Sequence, residues 1–361
     1  MHADVLDDKI LAQDVDRQDM LQILEETPQA YERAYRAAIK SDTLPRMLPR
    51  APDHMAMVGI GGSAIAADII RDWLFESETT IEVVRGSRLP GSITGSAYVL
   101  ACSYSGQTAE TLEAFKEVRR RKIRVACISS GGKLVHICRA KQIPHVQIEA
   151  GLQPRAALPH LFSASAAILE RWKICGPRAI RSELRETTNE LTSLRRTIGF
   201  ASPLAKNPAK QLALQLVNTF PIVYSSQFLS AAGRRFKNQL NENSKILAKS
   251  ENTPEMLHNE VQGWGVLNES ESSDLLSFVL LRGGEAEAEN AQLDRLSDLI
   301  RESGGRRIHE ISLKSRSRLV RILSAIYYCD YVSYYVALAR KVDPTPVETI
   351  WALKHSPTQK P

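Results

Sequence analysis

From Met55 onward, short apolar runs alternate with helical stretches, and few folds accept that order. The runs are Met57 to Ile60, Ile81 to Val84, Tyr98 to Ser103, Ile123 to Ile128 and Pro144 to Ile148. Strands separated by helices pair in parallel, because each crossover helix returns the chain to the start of the sheet, and a parallel sheet is covered on both faces. The expectation is therefore an α/β class fold with a doubly wound, mostly parallel sheet flanked by helices.

At 361 residues the chain exceeds the roughly 100 to 200 residues usual for one domain, so two are expected. Residues 14–40 place Met20, Leu21, Leu24, Tyr31, Tyr35 and Ile39 at helical spacing, with an interruption at Pro28. The break at Gly176-Pro177 divides the remainder. This gives an N-terminal helical segment over 1–50, a first domain over 51–176 and a second over 177–361. In the second, Ile222 to Tyr224, Leu275 to Leu281 and Ile308 to Ser312 read as strands, and Gln227 to Lys249 as a helix. Leu319 to Arg340 reads as a buried helix and Ile350 to Lys354 as a short one. The tip Ser225-Ser226-Gln227 lacks glycine and is less suited to cradling an anion.

Composition narrows the class. Hydrophobic residues at 43% and charged residues at 24% are ordinary globular usage. Lys and Arg outnumber Asp and Glu by 47 to 41, a mild bias toward anionic ligands. The runs Arg119-Arg120-Arg121-Lys122 and Arg234-Arg235 lack interleaved aromatics and read as solvated helix faces, so no nucleic-acid partner is expected. Cysteines at 102, 127, 138, 175 and 329 form no C-x-x-C pair and suit reduced thiols in a cytoplasmic setting. An acidic N-terminus without an apolar core and the lack of any run of about 18 apolar residues argue against secretion and a membrane partner.

Two strand-to-helix loops could take a phosphate. Gly59-Ile60-Gly61-Gly62-Ser63 leads into a helix over Ala64 to Trp73, where glycines admit an anion close to the backbone and the first amides supply donors. The same loop fits a dinucleotide fingerprint, but the next strand ends at Val84-Arg85-Gly86 without the expected terminal acid. NAD is thereby disfavoured, while NADP stays open. No Walker-type loop is present. The second loop, Ser103-Tyr104-Ser105-Gly106-Gln107-Thr108, adds three hydroxyls to a glycine turn before a helix over Ala109 to Arg121, a composition suited to a monophosphate. A plain Ser or Thr helix cap would use one of those hydroxyls in the same way.

With these loops, Lys237-Asn238-Gln239-Leu240-Asn241-Glu242-Asn243-Ser244-Lys245, Pro254-Glu255-Met256-Leu257-His258-Asn259-Glu260 and Gly263-Trp264 resemble the bifunctional phosphoglucose/phosphomannose isomerases of the sugar isomerase (SIS) domain family. The resemblance runs over residues 20–357 and implies two doubly wound sugar-isomerase-type domains. It implies that Gly62, Ser63, Ser103, Ser105 and Thr108 hold the substrate phosphate. Ala64 stands where glycine is common and Gln107 where asparagine is. Arg155, in Pro154-Arg155-Ala156-Ala157, and Lys354, in Ala352-Leu353-Lys354, match the family's sugar-facing arginine and C-terminal lysine.

Aldose–ketose interconversion moves a proton between C2 and C1 and needs one base near both carbons. The resemblance assigns that base to Glu242, and opening of the cyclic hemiacetal to His258, supplied by a neighbouring subunit of a homodimer. Arg155 would stabilise the developing oxyanion, Lys354 would assist ring opening or orient a hydroxyl, and Glu260 would orient His258. Thr345 and Thr349 are candidates for holding the C2 hydroxyl. The reaction needs no redox cofactor, and no metal-ligand spacing is present. The implied activity converts glucose 6-phosphate and mannose 6-phosphate to fructose 6-phosphate, a place in glycolysis or gluconeogenesis. A non-catalytic phosphosugar sensor would keep the loops but could dispense with Glu242 and His258.

Overall fold

The computed structural model describes residues 4–264, 275–283, 287–305, 307–315 and 317–354. Helices α1 (Lys9–Val15) and α2 (Met20–Ala38) come first, then β1 (His54–Val58), α3 (Gly62–Trp73), β2 (Thr80–Val84), β3 (Tyr98–Cys102) and α4 (Ala109–Arg120). Next follow β4 (Arg124–Ser129), α5 (Gly132–Ala140), β5 (His145–Gln147), α6 (Leu158–Arg171), α7 (Pro177–Ile198) and α8 (Pro208–Leu216). The chain continues through β6 (Phe220–Ser225), α9 (Ser230–Glu242), β7 (Lys249–Asn252), α10 (Val261–Trp264) and β8 (Leu276–Arg282). It ends with α11 (Glu287–Glu302), β9 (Ile308–Ser312), α12 (Arg318–Ala339) and α13 (Glu348–Lys354).

These elements form two compact units. The first comprises Glu26–Leu191 with Arg316–Ile322, and the second comprises Met1–Glu25, Thr192–Ser315 and Leu323–Pro361. Each contains one parallel sheet, as the alternation of strands and helices requires.

In the first unit the strand order is β2-β1-β3-β4-β5. Met57 lies opposite Val83 and Leu100, and Leu100 in turn opposite Ala126. Ala56, Val58, Val99, Ala101, Val125 and Cys127 pack with Phe115 and Val118 of α4 and Leu134 of α5. The alternate residues Met55, Met57, Leu100 and Ile128 are also buried, on the sheet face opposite α4 and α5. Burial of both sets explains why the strands read as continuous apolar runs.

In the second unit the order is β7-β6-β8-β9, all parallel. Ile222, Tyr224, Phe278 and Leu280 pack on Leu293, Leu296 and Ile300 of α11. Strand β7 escapes a reading by hydrophobic pattern, because Lys249-Ser250-Glu251-Asn252 is wholly polar and sits at the sheet's edge. The helix expected over Gln227 to Lys249 accordingly ends at Glu242. Lys245 adopts φ 55°, which no helix continues through, and β7 begins at Lys249.

Pro28 does not interrupt the first long helix, since α2 runs through it. A proline there removes the amide that would bond the carbonyl of Leu24. That carbonyl instead accepts from the Tyr327 hydroxyl at 2.9 Å. Arg235, expected on a solvated face, is buried on α9 against Asp330 of α12, with Nε···Oδ1 at 3.0 Å and Nη2···Oδ2 at 2.8 Å. Charge pattern alone does not separate an exposed arginine from one with a buried carboxylate partner. Among the described residues, no helix is long and apolar enough to cross a membrane.

Two histidines tie stability to pH. Burial holds both His160 and His309 below the ordinary imidazole value of 6.5, and Arg307 adds to the effect at His309. Their folded-state values are depressed, so the unfolded chain binds more protons just below pH 6.5 and stability falls as pH drops from there toward the depressed values. Denaturation midpoints measured between about pH 7.5 and pH 5.5 should fall. A His160→Gln/His309→Gln variant should lose less over the same window, and an identical slope would refute the assignment.

Candidate active site

In the first unit the chain leaves β1 into α3 and leaves β3 into α4, and of these two helices α4 is the one that packs with the Ala56, Val58, Val99 and Ala101 face. The β1–β3 boundary is thus the place where the winding reverses, and crevices open there at the carboxyl ends of the strands. Both candidate phosphate loops lie at those ends.

The first loop turns at Gly61, with φ 57°. A Cβ on Gly62 would lie 2.9 Å from the carbonyl of Pro154 and 3.0 Å from the Arg155 amide nitrogen, so the start of α3 is packed directly onto the segment that carries Arg155. Arg155 itself is buried. Ser63, the next residue, accepts a hydrogen bond through Oγ from the Tyr104 amide at 3.1 Å. One hydroxyl thereby joins the two loops.

In the second loop Gly106 donates to the Ser103 carbonyl at 3.1 Å with φ 65°. Thr108 occupies the N-cap of α4 but makes no side-chain cap bond. Instead its hydroxyl accepts from Ser103 Oγ at 3.0 Å, and Ser105 Oγ accepts from the Gln107 amide at 3.2 Å. An ordinary helix cap would spend the threonine oxygen on α4's amides. Here no side chain caps those amides, and a helix N-terminus in that condition favours an anion.

A third loop, not singled out in the sequence, supports the second. Ser130 donates to the Tyr104 carbonyl from its amide at 2.9 Å and its hydroxyl at 2.7 Å, and Leu134 donates to the Gly106 carbonyl at 3.1 Å. The approach requires glycine, because a Cβ on Gly106 would fall 2.0 Å from the Gly131 oxygen. Its signal in the sequence is Ser129-Ser130-Gly131-Gly132 directly after an apolar run. The Tyr104 hydroxyl in turn accepts from the Leu152 amide at 2.8 Å, close in sequence to Arg155.

The dinucleotide alternative meets an obstacle at the tip of β2. Arg85, the residue that could have met a 2′-phosphate, donates to the buried carboxylate of Asp68, which Arg71 also approaches at 3.4 Å.

In the second unit Glu242 is the last residue of α9 and borders a cavity of about 680 Å³. Asn241, Lys245, Asp343 and Thr349 supply polar lining, and Ile246, Leu247, Val342, Pro346, Val347 and Ile350 supply apolar walls. The helix bearing Glu242 is keyed to α12. Besides the Arg235–Asp330 pair, Asn243 Nδ2 donates to Ser333 Oγ at 3.1 Å and Ser244 Oγ to the Ser333 carbonyl at 2.6 Å. Lys245 Nζ closes the helix end on the Glu242 carbonyl at 2.6 Å and reaches the Pro344 carbonyl at 3.2 Å.

Not every expected residue joins Glu242. Thr349 lines the cavity, whereas Thr345 is buried and Lys354, exposed at the end of α13, is absent from the lining. His258 stands exposed at the end of the 3₁₀ turn Glu255–His258. Glu260 does not take up His258: its oxygens are engaged by Tyr224 at 2.7 Å and Lys249 at 2.7 Å. Among the described residues, no three His, Cys, Asp or Glu side chains group as a metal site.

Residues 205–356 match the family model described as the bacterial phospho-glucose isomerase C-terminal SIS domain. The bifunctional phosphoglucose/phosphomannose isomerase of Caldicellulosiruptor bescii is 34% identical over 308 residues, covering 84% of this chain and 89% of its own. The enzyme of the same description from Aquifex aeolicus is 29% identical, covering 82% and 88%. Among solved structures, the tagatose-6-phosphate ketose/aldose isomerase of Escherichia coli superposes with a TM-score of 0.66 at 15% identity, over 90% of this chain and 93% of that one, a likeness of fold.

Proposed function

The chain belongs to the bifunctional phosphoglucose/phosphomannose isomerase family, and on that premise we propose that it interconverts glucose 6-phosphate and mannose 6-phosphate with fructose 6-phosphate by proton transfer through an enediolate. The phosphate is taken by Gly62, Ser63, Ser103, Ser105 and Thr108, whose hydroxyls and helix-start amides are donors to its oxygens. His258 exchanges protons with the ring oxygen to open the hemiacetal, and Lys354 assists. Glu242 then removes the C2 proton and returns it at C1, while the Arg155 guanidinium stabilises the charge that develops on oxygen.

The observation that carries this reading is the place of Glu242. It sits at the end of a helix locked to α12 by a buried ion pair and two further hydrogen bonds, on the edge of a cavity with room for a sugar. A phosphosugar sensor would need the hydroxyl loops alone. The deciding assay follows fructose 6-phosphate formation from each aldose in metal-stripped buffer, and yields no higher than those of a Glu242→Gln control would end the proposal.

The cup has its own test. Hydrogen bonds to a charged group contribute about 1.5–3 kcal/mol each, so Ser105→Ala and Thr108→Ala should each raise KM by roughly 10- to 100-fold while kcat moves less. Unchanged KM in both variants would remove these hydroxyls from phosphate binding.

We further propose a homodimer in which His258 serves the neighbouring subunit's substrate, a reading supported by its exposure. A fully active monomer would overturn it. The cytoplasmic placement, in glycolysis or gluconeogenesis, is supported by the free thiols. Burial pushes Cys102 up to about 12 and Cys175 to about 11, values that leave little reactive thiolate at neutral pH.

A further inference from the structure

His258 is exposed, yet the residues on either side of it are fixed. Before it, Met256 is buried in the cluster of Ile222, Phe278 and Leu280, and Leu257 packs against the same cluster. After it, Glu260 and Trp264 enter a closed set of hydrogen bonds. Tyr224, wholly buried on β6, donates its hydroxyl to Glu260 Oε1 at 2.7 Å and accepts from Trp264 Nε1 at 2.9 Å. Lys249 Nζ, on β7, donates to Glu260 Oε2 at 2.7 Å. The Trp264 ring meets Phe278 edge-on, with centroids 5.1 Å apart and planes at 87°.

Each partner here completes another. Deleting the Tyr224 hydroxyl would leave one carboxylate oxygen and one indole N–H without their buried bond, which costs more than the bond itself contributes. Burial, and after it the Glu260 carboxylate, raise the Tyr224 hydroxyl far above its ordinary range, so it stays a donor at any working pH. Packing alone could hold Trp264. A carboxylate shared between a tyrosine on one strand and a lysine on the next also fixes the rotation of the turn, and with it the direction in which His258 leaves the backbone.

We propose that Tyr224, Glu260, Lys249 and Trp264 form a clamp that positions His258 for ring opening. The inference rests on the role assigned to His258 above. It replaces direct orientation of the imidazole by Glu260 with orientation through the backbone.

The test is a double-mutant cycle of Tyr224→Phe and His258→Asn, with kcat and KM measured on glucose 6-phosphate. A phenylalanine keeps the ring packing and removes only the hydroxyl. Misplacement of a reacting group by about 1 Å can cost on the order of 100-fold, so Tyr224→Phe should lower kcat by roughly 10- to 100-fold with KM within about threefold. In the His258→Asn background the same substitution should change kcat by less than about threefold, because the group it positions is gone. Affinity for an aldonate 5-phosphate, an acyclic mimic of the enediolate, should stay near that of the unsubstituted protein.

Unchanged kcat in Tyr224→Phe, or an equal loss in both backgrounds, overturns the clamp. If Tyr224→Phe fails to fold, Trp264→Phe, which loses the N–H and keeps an aromatic edge on Phe278, is read by the same cycle with the same criteria. An unsubstituted protein that turns over neither aldose refutes the isomerase reading itself, and normal turnover by His258→Asn refutes the role of His258. Both results are distinct from failure of the clamp.

Discussion

Replacing Glu242 with glutamine is expected to lower kcat for fructose 6-phosphate formation by roughly 10²- to 10⁴-fold, the span attributable to one general acid–base group. The amide matches the carboxylate in size, so the C-terminal turn of α9 and the closure of Lys245 on the residue 242 carbonyl should survive. What is lost is the ability to accept a proton and return it. KM should therefore change little, because the hydroxyl loops proposed to hold the phosphate are far away in sequence, and thermal stability should match that of the unsubstituted protein. Exchange of the C2 hydrogen with solvent deuterium gives a second readout, since it follows proton abstraction whether or not product forms. Persistent exchange at the normal rate in Glu242→Gln would assign the base to another residue.

The second large effect is structural. Gly106→Ala places a methyl group 2.0 Å from the Gly131 oxygen, a backbone atom that moves only if the whole third loop moves, and it does so at φ 65°. Strain of this kind costs about 1–3 kcal/mol before the collision is counted. The melting temperature should fall by on the order of 5 °C or more, with loss of sugar-phosphate binding. Gly91→Ala is the matched control, since a Cβ there meets nothing within 4 Å. A Gly106→Ala protein that melts and binds normally would mean that the second and third loops are not held together as described.

The parallel sheets were legible because most of their strands are short apolar runs, and the two hydroxyl and glycine loops because they interrupt that pattern at strand ends. Three features were hidden for physical reasons. Strand β7 is polar, and pairing along a sheet edge leaves no trace in hydrophobic pattern. The support from Ser129 to Gly132 acts through backbone contact with Gly106, which no side-chain chemistry announces. The engagement of Glu260 with Tyr224 and Lys249 depends on partners 36 and 11 residues away. The motif placed Glu260 beside His258 in sequence, but the fold gave both of its oxygens to other residues.

Mending α2 at Pro28 with a hydroxyl from α12 has a temporal meaning. The donor and acceptor are separated by 303 residues, and the unit that holds them is made of stretches from both extremes of the sequence. A ribosome delivers Leu24 303 residues before Tyr327, so during synthesis this carbonyl must wait on water. The second unit can close only after the stretch that follows Ile322 has been made, whereas nearly all of the first unit precedes Thr192 in the chain.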